Sequence, residues 1–161
     1  MAIMKSGAIL FLRAVVLLIG IGAVALLLWE PHIEGRNAHA TVFEIYFNDP
    51  FLAYAYVASI PFFVGLYHAF KVLGFAGRNN EFSISAVESI RTIKNCAIAL
   101  FGFVVGAEIF IMSNDSDDRA GGVFIGILIA FASIVVATAT TILERALQRA
   151  VEMKSENDLT I

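Results

Sequence analysis

Four long apolar blocks leave this chain one kind of environment in which to fold. The first runs from Gly7 to Trp29 and carries only Arg13, and the second runs from Phe51 to Leu73, broken by His68 and Lys71 near its end. The third runs from Ile93 to Met112 and contains Glu108, and the fourth runs from Gly121 to Leu143 with no charge at all. Each matches the roughly 20 helical residues needed to cross a hydrocarbon core of about 30 Å. Backbone in lipid must satisfy its own hydrogen bonds, so the blocks are predicted to be helices; barrel strands would show shorter, alternating segments. The expected fold is all-α: one integral membrane domain over residues 1–161, a four-transmembrane-helix bundle with helices near 7–29, 51–73, 86–112 and 121–154.

The rest of the composition agrees. Hydrophobic residues make up 59% of the chain and charged residues 16%, against about half and a quarter in soluble domains. A formal net charge of −3 argues against direct nucleic-acid binding, which needs a clustered basic surface. Cys96 is the single cysteine, so neither an intrachain disulfide nor a thiolate metal cluster is available. A cleaved signal peptide is the competing reading of the first block, with Ala38-His39-Ala40 as its cleavage site. The apolar stretch is longer than a signal core of about 7–15 residues and ends well before Ala40, which argues for a retained span.

Lysine and arginine counts orient the spans. The two ends and the middle loop hold nine of the 11 basic residues; the loops before the second and fourth spans hold only Arg36 and Arg119. The expectation is a bacterial cytoplasmic-membrane protein with both termini cytoplasmic. The outward loops are acidic, with Glu30, Glu34, Glu44 and Asp49 in one and Asp115, Asp117 and Asp118 in the other.

Local signals refine the plan. Thr41 to Phe47 is apolar and β-prone and reads as a short strand or an interfacial segment. Asp49-Pro50 reads as a helix start, an acidic cap followed by proline at the first helical position. Pro61 falls inside the second span, where it removes one backbone bond and is expected to kink the helix. In the middle loop, either Ser83 caps a helix, with Phe82 and Val87 as a hydrophobic staple, or Ser85 and Glu88 form a capping box. In both cases Val87, Ile90 and Ile93 recur beside Glu88, Arg91 and Lys94, a short amphipathic helix predicted to lie along the inner leaflet and lead into the third span. The fourth span continues helical spacing past the membrane through Leu143, Ala146, Leu147, Ala150, Val151 and Met153, a cytoplasmic amphipathic extension with Gln148 on its polar side.

Two stretches carry a resemblance. One is His68-Ala-Phe-Lys-Val-Leu-Gly74 with Asn80-Glu-Phe-Ser-Ile-Ser-Ala-Val-Glu-Ser-Ile-Arg-Thr-Ile-Lys-Asn-Cys-Ala-Ile98; the other is Glu156-Asn-Asp-Leu-Thr-Ile161. The chain resembles, from its second span to its end, the bacterial membrane proteins grouped as domain of unknown function 2975. The resemblance implies four membrane helices, no assigned catalysis, and a small helix-turn-helix regulator as a companion.

Candidate chemistry is sparse. Glu108 is the one acidic residue within a predicted span; such residues usually face a bundle interior or a water path, and burial disfavours the charged form. It lies about 6 Å from the outer end of its helix at 1.5 Å per residue, at the depth of Tyr54 and Tyr56, whose phenols would reach it. Small residues at Gly102 and Gly106, facing Gly122, Gly126 and Ala130, predict close packing of the third and fourth spans. That register would turn Glu108 away from the fourth span, toward the second span or lipid. No His-Glu-x-x-His pattern, paired membrane acids or Gly-rich phosphate loop is present, so no catalysis, metal or cofactor is expected.

Two functions remain. The first is a non-enzymatic regulatory or interaction protein that offers a cytosolic partner, such as a helix-turn-helix regulator, a surface built from Phe82, Val87, Ile90, Arg91, Leu147, Val151, Glu156 and Asp158. The second is a small transporter or channel subunit that uses Glu108 as a proton or cation site and needs a homo-oligomer to complete a path. In either case the lipid bilayer is the constant partner.

Overall fold

The computed structural model describes residues 2–33, 39–47, 50–77, 83–113 and 119–159; the side chains of 2–5, 30, 33, 119 and 157–159 are not described. Its elements are α1 (Ala2–Ile33), α2 (Val42–Phe47), α3 (Pro50–Gly77), α4 (Ile84–Ser113) and α5 (Arg119–Leu159). Four of these, α1, α3, α4 and α5, are long and apolar enough to cross a membrane. All four overrun the apolar blocks at both ends, because hydropathy marks the lipid thickness while helical hydrogen bonding continues into the polar zone.

The four long helices pack as a layer in chain order. α1 packs on α3, α3 on α4 and α4 on α5; α1 and α5 form the two edges. Lipid tails are as apolar as leucine, so no hydrophobic gain closes a membrane bundle on itself. The edges show it: Leu10, Phe11, Leu18, Ile21 and Leu26 on α1, and Phe124, Ile127 and Phe131 on α5, are all exposed. These faces meet lipid when the chain is in a bilayer.

Three local expectations resolve. The Thr41–Phe47 stretch is a helix rather than a strand. Thr41 and Glu44 close a capping box across its first turn: the Thr41 amide and hydroxyl each donate to Glu44 Oε2 at 2.8 Å, and the Glu44 amide donates to Thr41 Oγ1 at 3.3 Å. That local pairing outweighs the β-propensity of the following residues. Pro50 opens α3 and Pro61 sits inside it, with α3 remaining one helix; Asp49 lies outside the described residues. Ser83, rather than Ser85, caps α4: its hydroxyl accepts from the Ala86 amide at 3.3 Å, and its carbonyl accepts from Ala86 and Val87.

The amphipathic helix foreseen between the second and third spans is not a separate surface helix. Its residues are the first turns of α4, continuous with the span. α4 therefore reaches about 45 Å and α5 about 60 Å at 1.5 Å per residue, and both project past a core of about 30 Å at the end where the basic residues collect.

Candidate functional site

Among the described residues, the α4–α5 seam holds the buried Glu144 with its partners Arg91 and Lys94, and also Glu108. On α4 it is lined, from the basic end outward, by Arg91, Lys94, Ala97, Phe101, Glu108 and Ile111, steps of three, four or seven residues that keep one helix face. On α5 the facing residues are small: Gly122 meets Ile111, Gly126 meets Glu108, and Ser133, Ala137 and Thr141 flank Ala97 and Phe101. Large side chains from α4 thus seat over a small-residue track on α5, which is how membrane helices gain close contact without a hydrophobic drive.

This register corrects the expected one. Glu108 points at α5, where a Cβ added to Gly126 would run into its carboxylate. Gly102 meets no neighbour, and Gly106 faces Tyr54 on α3. The glycines of α4 therefore do not form the seam; of those on α5, Gly122 and Gly126 do. Pairing small residue with small residue placed α4 about half a turn out, because it ignored the alternative of small against large. Tyr54 donates to the Phe103 carbonyl at 2.7 Å and Tyr56 to the Leu27 carbonyl at 3.0 Å, so neither phenol serves Glu108. Both instead tie α3 to its neighbours, α4 and α1. Glu108 Oε2 is buried and has no hydrogen-bond partner among the described residues. Such an oxygen has lost its water without replacement, a cost that a proton or a cation would relieve.

At the other end of the seam sits Glu144, the first residue past the uncharged stretch and only 6% exposed. Its two carboxylate oxygens are divided between two cations on α4: Arg91 Nε donates to Oε1 at 2.7 Å and Lys94 Nζ to Oε2 at 2.6 Å. The Lys94 hydrogen bond, then that of Arg91, holds the Glu144 carboxyl below its ordinary value of 4.5. A depressed carboxyl stabilises the folded form above its unfolded pKa, and that contribution disappears as pH falls through the folded value. We therefore expect the α5 extension to stay docked at neutral pH and to loosen only as pH drops below about 4.5, followed by proteolysis of the extension across a pH series. In Glu144→Gln that dependence should vanish. Arg91 was expected to face a partner; half of its side chain is exposed and its Nε is committed to Glu144. The clamp was missed because acid and base are 50 or more residues apart in sequence.

The remaining candidate surface is partly consumed by the fold. Val87 and Ile90 are 7% and 2% exposed, with Ala86 and Ser89 equally buried; their apolar stripe packs inside the chain rather than on a partner. Leu147 and Val151 are half-buried, and Gln148 shares that inward stripe rather than the polar side. Arg149 and Glu152 are exposed and mark the outer face, and Met153, expected on the apolar stripe, is exposed beside them because it falls one residue after Glu152 on the helix. Glu156 is exposed, while Phe82 and the Asp158 side chain lie outside the described residues. Leu147→Asp is expected to detach the extension by burying a charge, at about 2 kcal/mol, with Arg149→Asp near neutral. Protease sensitivity of the two variants checks this.

At the opposite end the described residues form no comparable charged cluster. Tyr46 on α2 donates to the Leu28 carbonyl at 2.9 Å and lies 3.2 Å from His32 Nδ1, which anchors α2 over α1. Among the described residues no three His, Cys, Asp or Glu side chains come together as metal ligands.

A layer of four membrane-length helices with a charged clamp where two of them leave the apolar zone defines an integral membrane protein. Residues 35–161 match the family described as "Protein of unknown function (DUF2975)", and the chain belongs to that family. It is 36% identical over 154 residues to "Uncharacterized membrane protein YoaS" of Bacillus subtilis (strain 168), covering 94% of this chain and 96% of that one. No solved structure matches the chain.

Proposed function

We propose that the protein is a non-enzymatic membrane platform whose α5 extension docks a cytosolic protein. The observation that carries this reading is α5 itself. It runs unbroken to Leu159, well beyond Leu143, where its charge-free stretch ends, and is clamped at its root by Glu144 between Arg91 and Lys94. A helix held this firmly at the membrane edge presents its far turns at low entropic cost to a partner. With Val87 and Ile90 buried, the surface left for docking is the outer side of the extension, around Met153 (60% exposed) and Glu156. The basic bias of this end supports a cytoplasmic placement. The partner implied by the family resemblance is a small helix-turn-helix regulator, and the protein would then act on transcription by holding that regulator at the membrane.

A photoreactive residue placed at Met153 in cells tests this. The reading expects crosslinks to one soluble protein, with none from the same probe at Ile125 on the lipid face. Crosslinks only to lipid or to other copies of the chain at Met153 would contradict it. The unpartnered Oε2 of Glu108 favours a second reading, a proton or cation step at the α4–α5 seam of an oligomer. It expects flux in liposomes that Glu108→Gln abolishes.

A further inference from the structure

The α1–α3 groove at the basic end contains a cation that no described carboxylate neutralises. Arg13 lies one side-chain length inside the apolar part of α1, where an arginine without other ties extends along its helix to the headgroups. Here it turns sideways onto α3. Its guanidinium lies 4.9 Å from the centroid of the Phe70 ring and rests over Gly74, where an added Cβ would come within 2.6 Å of Nη2. Its Nε is buried with no hydrogen-bond partner, and no carboxylate among the described residues pairs with it. Beside it opens a cavity of about 230 Å³, lined by Ser6, Ile9, Leu10, Arg13, Gly74 and Gly77. That is room for several groups the size of a water, each about 30 Å³. Lys71, one turn before Gly74 on α3, adds a second positive charge, its ammonium 5.8 Å from the Phe75 ring.

A guanidinium whose Nε is buried without a partner calls for an anion with good hydrogen-bond geometry, and guanidinium matches phosphate oxygens. We propose that this cleft binds a phosphate group, supplied by the head group of an anionic phospholipid in the adjoining leaflet. Arg13 contacts the phosphate oxygens, the Ser6 hydroxyl stands at the mouth as a second donor, and the missing side chains at Gly74 and Gly77 leave the space. The lipid is favoured over a soluble phosphate because the cleft lies where α1 and α3 leave the apolar zone, at headgroup depth, and its other walls, Ile9 and Leu10, are apolar.

The test uses the full chain in nanodiscs of phosphatidylcholine doped with phosphatidylglycerol, released for native mass spectrometry. The wild type should retain phosphatidylglycerol preferentially, and Arg13→Gln should lower that retention about tenfold, the loss of one charge-assisted contact. Gly77→Leu keeps Arg13 and fills the cleft; an added Cβ there meets only Ile9 Cγ2, at 3.7 Å, so it should fold and lose the lipid too. Helix content and melting are followed for both, and Gly77→Leu decides the matter if Arg13→Gln does not fold. Retention of inorganic phosphate at millimolar concentration, lost in Arg13→Gln, with no preference for phosphatidylglycerol would overturn the lipid as the source of the phosphate. Unchanged phosphatidylglycerol retention in a folded variant, with no retention of inorganic phosphate, would overturn the proposal.

Discussion

Gly126→Leu is expected to break the α4–α5 seam, lowering stability by on the order of 3 kcal/mol and leaving little folded chain after extraction in mild detergent. The Gly126 position has no room for even one carbon, because the Glu108 carboxylate occupies that space. The obstacle is the end of a side chain, so it can be removed by mutation. Gly126→Ala alone should cost about 1 kcal/mol, the low end for overpacking, because the Glu108 carboxylate can swing aside, and most of that cost should disappear in a Glu108→Ala background. The difference between the single and double variants reads the contact directly, as a coupling of about 1 kcal/mol. Glu108→Gln keeps the shape and should leave the seam folded. If Gly126→Ala is as costly without Glu108 as with it, the two residues do not meet. Denaturation in mixed micelles, followed by helical circular dichroism, measures all four forms.

Glu144→Lys should have the second largest effect, and a different one. It places three cations where one acid now joins two, and breaking a buried pair costs about 3–5 kcal/mol. Arg91 is half exposed, so water screens part of the repulsion and the lower end of that range applies. The loss is local: the α5 extension should separate from the start of α4 and become a protease target while the four spans remain in the membrane. Exchanging the charges in Glu144→Lys with Lys94→Glu should restore part of the protection. Glu144→Leu should be milder than Glu144→Lys, since it removes the acid without adding a third cation. Equal protease sensitivity of wild type and Glu144→Lys would show that the clamp does not hold the extension.

These two results concern features the sequence made legible to different degrees. The spans were readable because lipid imposes a length and an apolar composition, and Gly7–Trp29 or Gly121–Leu143 satisfies both without reference to the rest of the chain. The small-residue track of α5 was also readable, in the spacing of Gly122, Gly126 and Ala130. What faced it was not. Gly102 and Gly106 share a similar spacing, yet Gly106 serves α3, where Tyr54 fills its notch. Helical spacing says which residues share a face and leaves open which neighbour that face meets. The heptad-like steps from Lys94 through Ala97, Phe101 and Glu108 to Ile111 were the signal that would have placed Glu108 correctly.

Two other outcomes follow the same logic. Thr41-x-x-Glu44 is a capping-box pattern, and weighing it above the aromatic and β-branched residues that follow would have given α2 its helix. The Glu144 clamp had no local signal, because its attraction depends on α4 and α5 lying side by side; only the antiparallel register puts Arg91 and Lys94 opposite Glu144. Val87 and Ile90 show the opposite error. An amphipathic stripe announces that something covers it, and here the cover belongs to the same chain.

The account rests on the α5 extension and its clamp standing on the cytosolic side, with the chain's own N-terminus. Paired reporter fusions test this most directly: a cytoplasm-active fluorescent protein and a periplasm-active phosphatase, each joined after Ile161 and, separately, inserted at Asp117 between the last two spans. The account predicts fluorescence without phosphatase activity at Ile161 and the reverse at Asp117. Phosphatase activity at Ile161 would contradict it, since the extension would then face away from every cytosolic partner.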